Sequence, residues 1–386
     1  MNNLLIHIVY ALPLAFREPS WSFEHLHLLP LIQKSAFYTP QARDANVHIL
    51  PHRSPYNSTH EARFLYDWLE AEYEPWKNAS NRFYIFNLCD HVVNDCQFYK
   101  GDQLSAYPQA IQPQNPKRRL RYIVWNGLAD GADSKNGNYC SGCIQAGKDV
   151  VIPTAQNACG PLCGSNLDTL RRFAVWNADA PNTIFGALDY VKRWEERPHT
   201  MFWAGQVSPR ALSPDFDAND DISGRGAFWQ AHHNRPGWSL HQTYDWAANK
   251  PAPLGVSMLE MMRNSTFCYN PLGHVGGDAD RYIPALLTGC VPVVLRTVRA
   301  GTLLKYRMPF EDVLEWNKVA VIIDAHDVPR LHEILAERSK DLHSLRAHAY
   351  SFWRRMLYTQ VYGAYLSEGG ENDALQVLFE VLDMQG

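Results

Sequence analysis

The stretch Pro271-Leu272-Gly273-His274-Val275-Gly276-Gly277-Asp278-Ala279-Asp280-Arg281 has the composition of a ligand loop. Glycines at 273, 276 and 277 let a backbone come close to a bound group. The helix expected to open near Asp280 offers free amides that suit an anion such as a diphosphate, with Arg281 beside it. On these residues alone a flexible loop closed by a capping Asp is the equal alternative. Cys140-x2-Cys143 and Cys159-x3-Cys163 approach zinc-ribbon spacing, and two disulfides, a zinc site and free thiols all remain open for them. His232, His233 and His241 read as surface or core histidines, since no cysteine or carboxylate recurs around them at ligand spacing. No GxGxxG follows a strand and no GxxxxGK[ST], HExxH or GxSxG occurs, which disfavours dinucleotide enzymes of the usual type, P-loop NTPases and the common hydrolases.

These residues need elements to hold them, and the pattern supplies two sets. In the first half, apolar β-rich runs at Leu4 to Ala11, Asn46 to Leu50, Phe83 to Leu88, Leu120 to Trp125 and Asp149 to Ile152 predict five strands. A helix from about His60 to Glu72 follows the capping box that starts at Ser58 and lies between the second and third. In the second half, strands are predicted at Thr200 to Ala204, Thr266 to Asn270, Val291 to Leu295 and Val319 to Ile323. One helix follows the capping box Ser257 to Glu260, another covers about Arg281 to Leu287 and stops at Gly289, and a third opens at Asp327. Strand, helix, strand implies parallel sheets, so the chain is expected to be α/β with two doubly wound units. Ligands of such sheets sit beyond the carboxyl ends of the strands. The boundary is placed near residue 190, and the charged helical stretch after His332, ending in Ala374 to Leu382, is expected to cross back over the first unit.

Composition narrows the partners. The 386 residues are 46% hydrophobic and 20% charged, which argues for a chain that folds by burial. Thirty-six Lys and Arg against 40 Asp and Glu leave a formal charge of −4, with no basic excess to draw a nucleic acid. The apolar run from Leu4 to Phe16 is broken by His7 and Pro13 and falls short of the roughly 18 residues that cross a bilayer. It reads as a strand, and a targeting or anchoring segment is expected to be missing from this chain. Eight cysteines and the sequons at Asn57, Asn78 and Asn264 lean towards a secretory lumen. Half of the cysteines, however, sit in strand-like apolar contexts where a free buried thiol is ordinary.

The stretch from Ser257 to Leu295, SMLEMMRNSTFCYNPLGHVGGDADRYIPALLTGCVPVVL, resembles the signature of exostosin-like glycosyltransferases, glycosyltransferase family 47. IHIVYALP, HLLPLIQKSAFYT with ARDANVHILP, GKDVVIPT, RPHTMFWAG and PFEDVLEWNKVAVIID followed by DVPRLHEIL are similar to other segments of that family, in the same order.

The resemblance implies a GT-B fold, two facing Rossmann-like domains with a cleft between them. Residues 1–190 would bind the acceptor, residues 191–350 the nucleotide-sugar donor, and 351–386 would form the C-terminal helices. It implies inverting transfer from a nucleotide donor, usually UDP-linked, to a polysaccharide or glycoprotein glycan in the Golgi lumen, without a metal or other cofactor. Arg281 and the amides after Gly273 would receive the diphosphate. Gly205 resembles the turn that faces the donor phosphates, and Arg225 a basic residue downstream of it; Pro271 and Gly289 complete the expected donor set. Asp90 and His91 resemble the family's acidic and imidazole cluster and are the candidates for catalytic base, with strand-end capping as the competing role. Many members carry a Glu where this chain has Pro284, so Asp278 or Asp280 is expected to hold the ribose. Asp278-Ala279-Asp280 also mimics the metal-binding DxD of GT-A transferases, but it precedes a helix rather than closing a strand. A catalytically inert GT-B scaffold that binds carbohydrate, or partners an active transferase as a hetero- or homo-oligomer, is the alternative that Pro284 and the weak base candidates motivate.

Overall fold

The computed structural model describes residues 4–9, 28–50, 59–87, 119–124, 128–129, 144–153, 197–213, 215–217, 223–252, 254–255, 257–272, 281–297, 305–358 and 372–386. These divide into two compact units. One takes the residues up to Pro153 with Arg307–Val313 and Ala374–Gly386, and the other takes the rest. The boundary expected near residue 190 lies outside the described residues.

The first unit is built on five parallel strands, β1 (Ile6–Ile8), β2 (Val47–Leu50), β3 (Arg82–Asn87), β4 (Leu120–Val124) and β5 (Val150–Val151), in that spatial order. Side chains alternate between faces along a strand. Phe83 and Ile85 join Tyr122, Val124 and Leu50 in one core, covered by Leu65 and Leu69 of helix α2 (Thr59–Glu72) and by Tyr73 and Trp76 just after it. The alternate residues Arg82 and Tyr84 meet the C-terminal helix Ala374–Met384. Arg82 donates to the carbonyl of Leu382, and Tyr84 Oη donates to Gln385 Oε1 at 2.7 Å. Helix α1 (Leu29–Lys34), with Pro30 in its first turn, packs against β1. A histidine is enclosed in this core. His48 is fully buried, stacks on Phe83 with ring centroids 4.8 Å apart, and places Nδ1 3.0 Å from the Tyr73 hydroxyl. Burial first, and then the neighbouring His7, lower its pKa to about 4.

The second unit also has five parallel strands: β6 (His199–Gly205), β7 (Trp238–Gln242), β8 (Ser265–Asn270), β9 (Val291–Leu295) and β10 (Val321–Ile323). Their spatial order is β10-β9-β8-β6-β7. Met201, Trp203, Phe267, Tyr269, Val293 and Leu295 form one face, closed by Phe228 of α3 (Arg225–His232), Leu331 and Leu335 of α6 (Leu331–Arg338) and Leu345 of α7 (Leu342–Phe352). Helices α4 (Met258–Arg263) and α5 (Tyr282–Leu287) pack on β8, with α5 also on β9. Arg197 fixes their far ends, donating to the carbonyls of Met262, Ser265 and Thr288 at 3.1, 2.6 and 2.9 Å.

Several local expectations change. Ser257 is the N-cap of α4, but its side chain makes no capping hydrogen bond. The helix expected from Asp327 starts instead as a 3-10 turn, Ala325–Arg330. It is capped at Asp324 by a reciprocal box with Asp327 and becomes α-helical only at Leu331. Cys268 and Cys290 are not free thiols. They form a disulfide that joins β8 to the entry of β9, with Cα atoms 5.8 Å apart. Cys140, Cys143, Cys159 and Cys163 lie outside the described residues. Among the described residues no helix is long and apolar enough to cross a membrane.

Candidate functional site

From β6 the chain moves to β7 on one side of the sheet and then returns to β8 on the other. The order therefore reverses between β6 and β8, and in an open α/β sheet that reversal opens a crevice beyond the carboxyl ends of the two strands. Here the strands end in Trp203-Ala204-Gly205 and Tyr269-Asn270, the latter running on into buried Pro271 and Leu272. Two guanidinium groups come to this edge. Arg281, the cap residue of α5, donates Nη1 to the carbonyl of Ala204. Arg225, the first residue of α3, donates Nε to the carbonyl of Leu272 at 2.9 Å.

The approach of α3 depends on one glycine. Gly224 caps the helix at φ +71°, and a Cβ there would lie 2.5 Å from Leu295 Cδ2 and 3.0 Å from Tyr269 Oη. Only a residue without a side chain adopts that backbone and clears both groups. Tyr269 Oη then donates to the Gly224 carbonyl at 3.0 Å, locking the start of α3 over the end of β8.

The same edge holds unsatisfied polar atoms. Asn270 Oδ1, Trp203 Nε1 and Gln242 Oε1 are buried with no hydrogen-bond partner among the described residues. Asn270 closes β8, Gln242 closes β7 opposite Gly205, and Trp203 lies two residues before the end of β6. Buried polar groups are ordinarily paired. Alternation along the strands puts Trp203 and Gln242 on the face covered by Phe228 and Asn270 on the other face, so Asn270 is the one of the three beside Ala204, whose carbonyl holds Arg281. None of the three was in the expected set. The available signal was a polar residue closing the otherwise apolar run Phe267-Cys268-Tyr269.

The expected residues sort as follows. Gly205, Arg225, Pro271 and Arg281 are brought to one edge. Gly205 has a packing role beyond leaving backbone open: a Cβ there would stand 2.5 Å from Trp203 Cζ2, so the indole fills that side. Gly289 is not brought to that edge. At φ +67° it ends α5, with Cys290 N donating to Ala285 O, and it precedes β9, at the edge of the sheet opposite the crevice. The helix opens at Tyr282, next to the expected start, but has only six residues, so positive charge at this edge resides in the two arginines more than in a helix dipole. Gly273, Asp278, Asp280, Asp90 and His91 lie outside the described residues.

The histidines take structural places. His232 is buried, with Nε2 2.7 Å from the Val328 carbonyl and Nδ1 3.4 Å from Arg235 Nε. Desolvation lowers its pKa, and the neutral Nε2–H tautomer satisfies both contacts. His233 is exposed, and His241 places Nε2 2.8 Å from Ser239 Oγ. Among the described residues Asp324, His326 and Asp327 could crowd ligand atoms round one cation, but the two carboxylates are engaged in the capping box and Asp327 pairs with Arg330 at 3.1 Å.

A five-stranded parallel sheet whose strand order reverses, with helices packed on it, is a doubly wound α/β unit. The sequence comparisons carry this further. The exostosin GT47 domain model matches residues 1–337, and the chain belongs to that glycosyltransferase family. Its two parallel-sheet units are the α/β components that a GT-B chain is made from. Among relatives, a protein named a probable glycosyltransferase of Arabidopsis thaliana is 39% identical over 95 residues, 25% of this chain and 17% of the relative. One named a probable glucuronosyltransferase of Oryza sativa subsp. japonica is 28% identical over 306 residues, 79% of this chain and 59% of the relative. The chain thus spans less than two thirds of the length of these relatives. Among solved structures, Anabaena HepE in complex with UDP and glucose aligns with a TM-score of 0.36 at 11% identity, over 96% of this chain and 84% of that one. WaaG, a glycosyltransferase of lipopolysaccharide biosynthesis, aligns with 0.33 at 11%, over 95% and 100%.

Proposed function

We propose that the chain is an inverting, metal-independent glycosyltransferase that moves a sugar from a UDP-linked donor to a polysaccharide or glycoprotein glycan in the Golgi lumen. The observation that carries this is that Arg225 and Arg281 donate to the carbonyls of Leu272 and Ala204, at the carboxyl ends of β8 and β6 where the strand order reverses. The second unit holds the donor in this reading, and the first holds the acceptor. The acceptor oxygen attacks the anomeric carbon as a base takes its proton. The carbon–oxygen bond to the diphosphate breaks with its electron pair, and the guanidinium groups stabilise the charge that leaves. Asp90 and His91 are the proposed bases, and Asp278 or Asp280 the proposed ribose ligands. The Cys268–Cys290 disulfide fits an oxidising compartment.

The relatives include one named a probable glucuronosyltransferase of Oryza sativa subsp. japonica and one named a probable β-1,4-xylosyltransferase of Arabidopsis thaliana, which makes UDP-glucuronic acid and UDP-xylose the first donors to try. Incubation with a panel of UDP-sugars, with and without EDTA, should release UDP equally in both. Release that EDTA abolishes refutes metal independence. Pro284 motivates the inert-scaffold reading: it sits buried in the first turn of α5, where its missing N–H costs the helix nothing, and it supplies no hydrogen-bonding side chain. Absence of turnover with every donor, by a protein that is folded, would establish that reading instead.

A further inference from the structure

We propose that Asn270 is a donor-binding residue whose Oδ1 accepts a hydrogen bond from a hydroxyl or imide N–H of the nucleotide sugar, an inference that rests on the donor reading above. Asn270 is 5% exposed and its Oδ1 has no partner among the described residues. It continues the register of the Cys268–Phe202 pair, so its side chain lies on the same face as that of Ala204, whose carbonyl holds Arg281. The flanking strand positions Tyr269, Val294 and Ala204 are buried, and none of them pairs with Oδ1. An unpaired buried carbonyl is costly, and a leucine, branched at the same carbon, would avoid that cost. The cost is borne at the edge where the strand order reverses. Arginines can only donate, so they suit phosphate oxygens; an acceptor beside them suits a ligand that carries hydrogen-bond donors as well as phosphates. A nucleotide sugar has both, whereas inorganic diphosphate has no use for Asn270.

The test is calorimetric titration of the full chain, its Asn270→Leu variant and its Asn270→Ala variant with UDP, 2′-deoxy-UDP, 3′-deoxy-UDP and UDP-glucuronic acid, with melting temperatures measured without ligand. The expected result is binding weakened by about ten- to a hundredfold in both variants, the equivalent of one hydrogen bond to a buried acceptor. The melting temperature of Asn270→Leu should be unchanged or raised. If the loss on UDP equals that of the unaltered protein on one deoxy analogue, a ribose hydroxyl is the partner. A loss seen with UDP-glucuronic acid and not with UDP assigns a hydroxyl of the sugar, and a loss retained with both deoxy analogues assigns the uracil imide. Equal affinity in the unaltered protein and both variants overturns the inference while leaving the donor reading intact. So does a melting temperature lowered by several degrees with affinity per folded molecule unchanged, because Asn270 would then serve the fold. An unaltered protein that binds none of the four ligands overturns the donor reading and this inference with it.

Discussion

Replacing Arg281 separates its part in the fold from its part in the reaction. Its Nη1 donates to the carbonyl of Ala204, a charged hydrogen bond worth about 1.5–3 kcal/mol. At roughly 2–4 °C per kcal/mol for a unit of this size, Arg281→Ala should melt about 3–12 °C below the unaltered protein. The chemical effect should be larger. Loss of one preorganised donor to developing negative charge lowers kcat by about 10²–10³, and a guanidinium facing a diphosphate offers two. A fall of about 10³ or more is therefore expected for Arg281→Ala, and a smaller one for Arg281→Lys, which keeps the charge and loses the fork. The assay is UDP release at saturating donor, run at least about 10 °C below the variant's melting point and normalised to folded protein. A kcat per folded molecule within about threefold of the unaltered protein, far less than the loss expected for a diphosphate ligand, would refute the assignment, and so would an activity loss that follows the unfolded fraction alone.

The remaining predictions concern what holds the two units in shape. Cys268 and Cys290 close a loop with a sequence separation of 22, so Cys268→Ala with Cys290→Ala should lower the unfolding free energy by about 3 kcal/mol; urea unfolding with an unchanged midpoint would show that the bond does not form. His48 has its folded pKa lowered from 6.5 to about 4 by burial, so the unfolded chain binds its proton more readily. The stability it contributes is complete above pH 6.5 and is lost as the pH falls towards 4, about 2 kcal/mol of it by pH 5. His48→Phe should flatten that slope in urea titrations between pH 7 and 5, and an unaltered slope would remove His48 as its source. Gly224→Ala should cost about 1–3 kcal/mol from the positive φ and the overlap with Leu295 and Tyr269. It should also weaken UDP binding by displacing Arg225, and full affinity in a folded variant would uncouple that arginine from the site.

What the sequence shows and what it hides follow from one physical distinction. All nine predicted strands appear, because a buried parallel strand must be apolar on both faces and so stands out as a run such as Val291 to Leu295. Among the described strands of the two five-stranded sheets, the one that was missed is β7, Trp238-Ser239-Leu240-His241-Gln242, half-buried at the sheet edge. With one neighbour and partial exposure it had no reason to read as apolar, and the short helix α3 before it was lost in the same stretch. The consequence reaches function, since without β7 the strand order looks monotonic, β6 to β10, and the reversal that locates the crevice cannot be seen. Arg225 therefore entered the expected set only through family resemblance, although its place is set by physics: the positive φ of Gly224 and the hydroxyl of Tyr269 carry α3 to the end of β8. Gly289 shows the converse. A glycine after a helix and before a strand signals a C-cap from the sequence alone, and the fold puts it at the amino end of β9. Where local chemistry and family pattern compete for one residue, the edge of the sheet on which it falls decides between them.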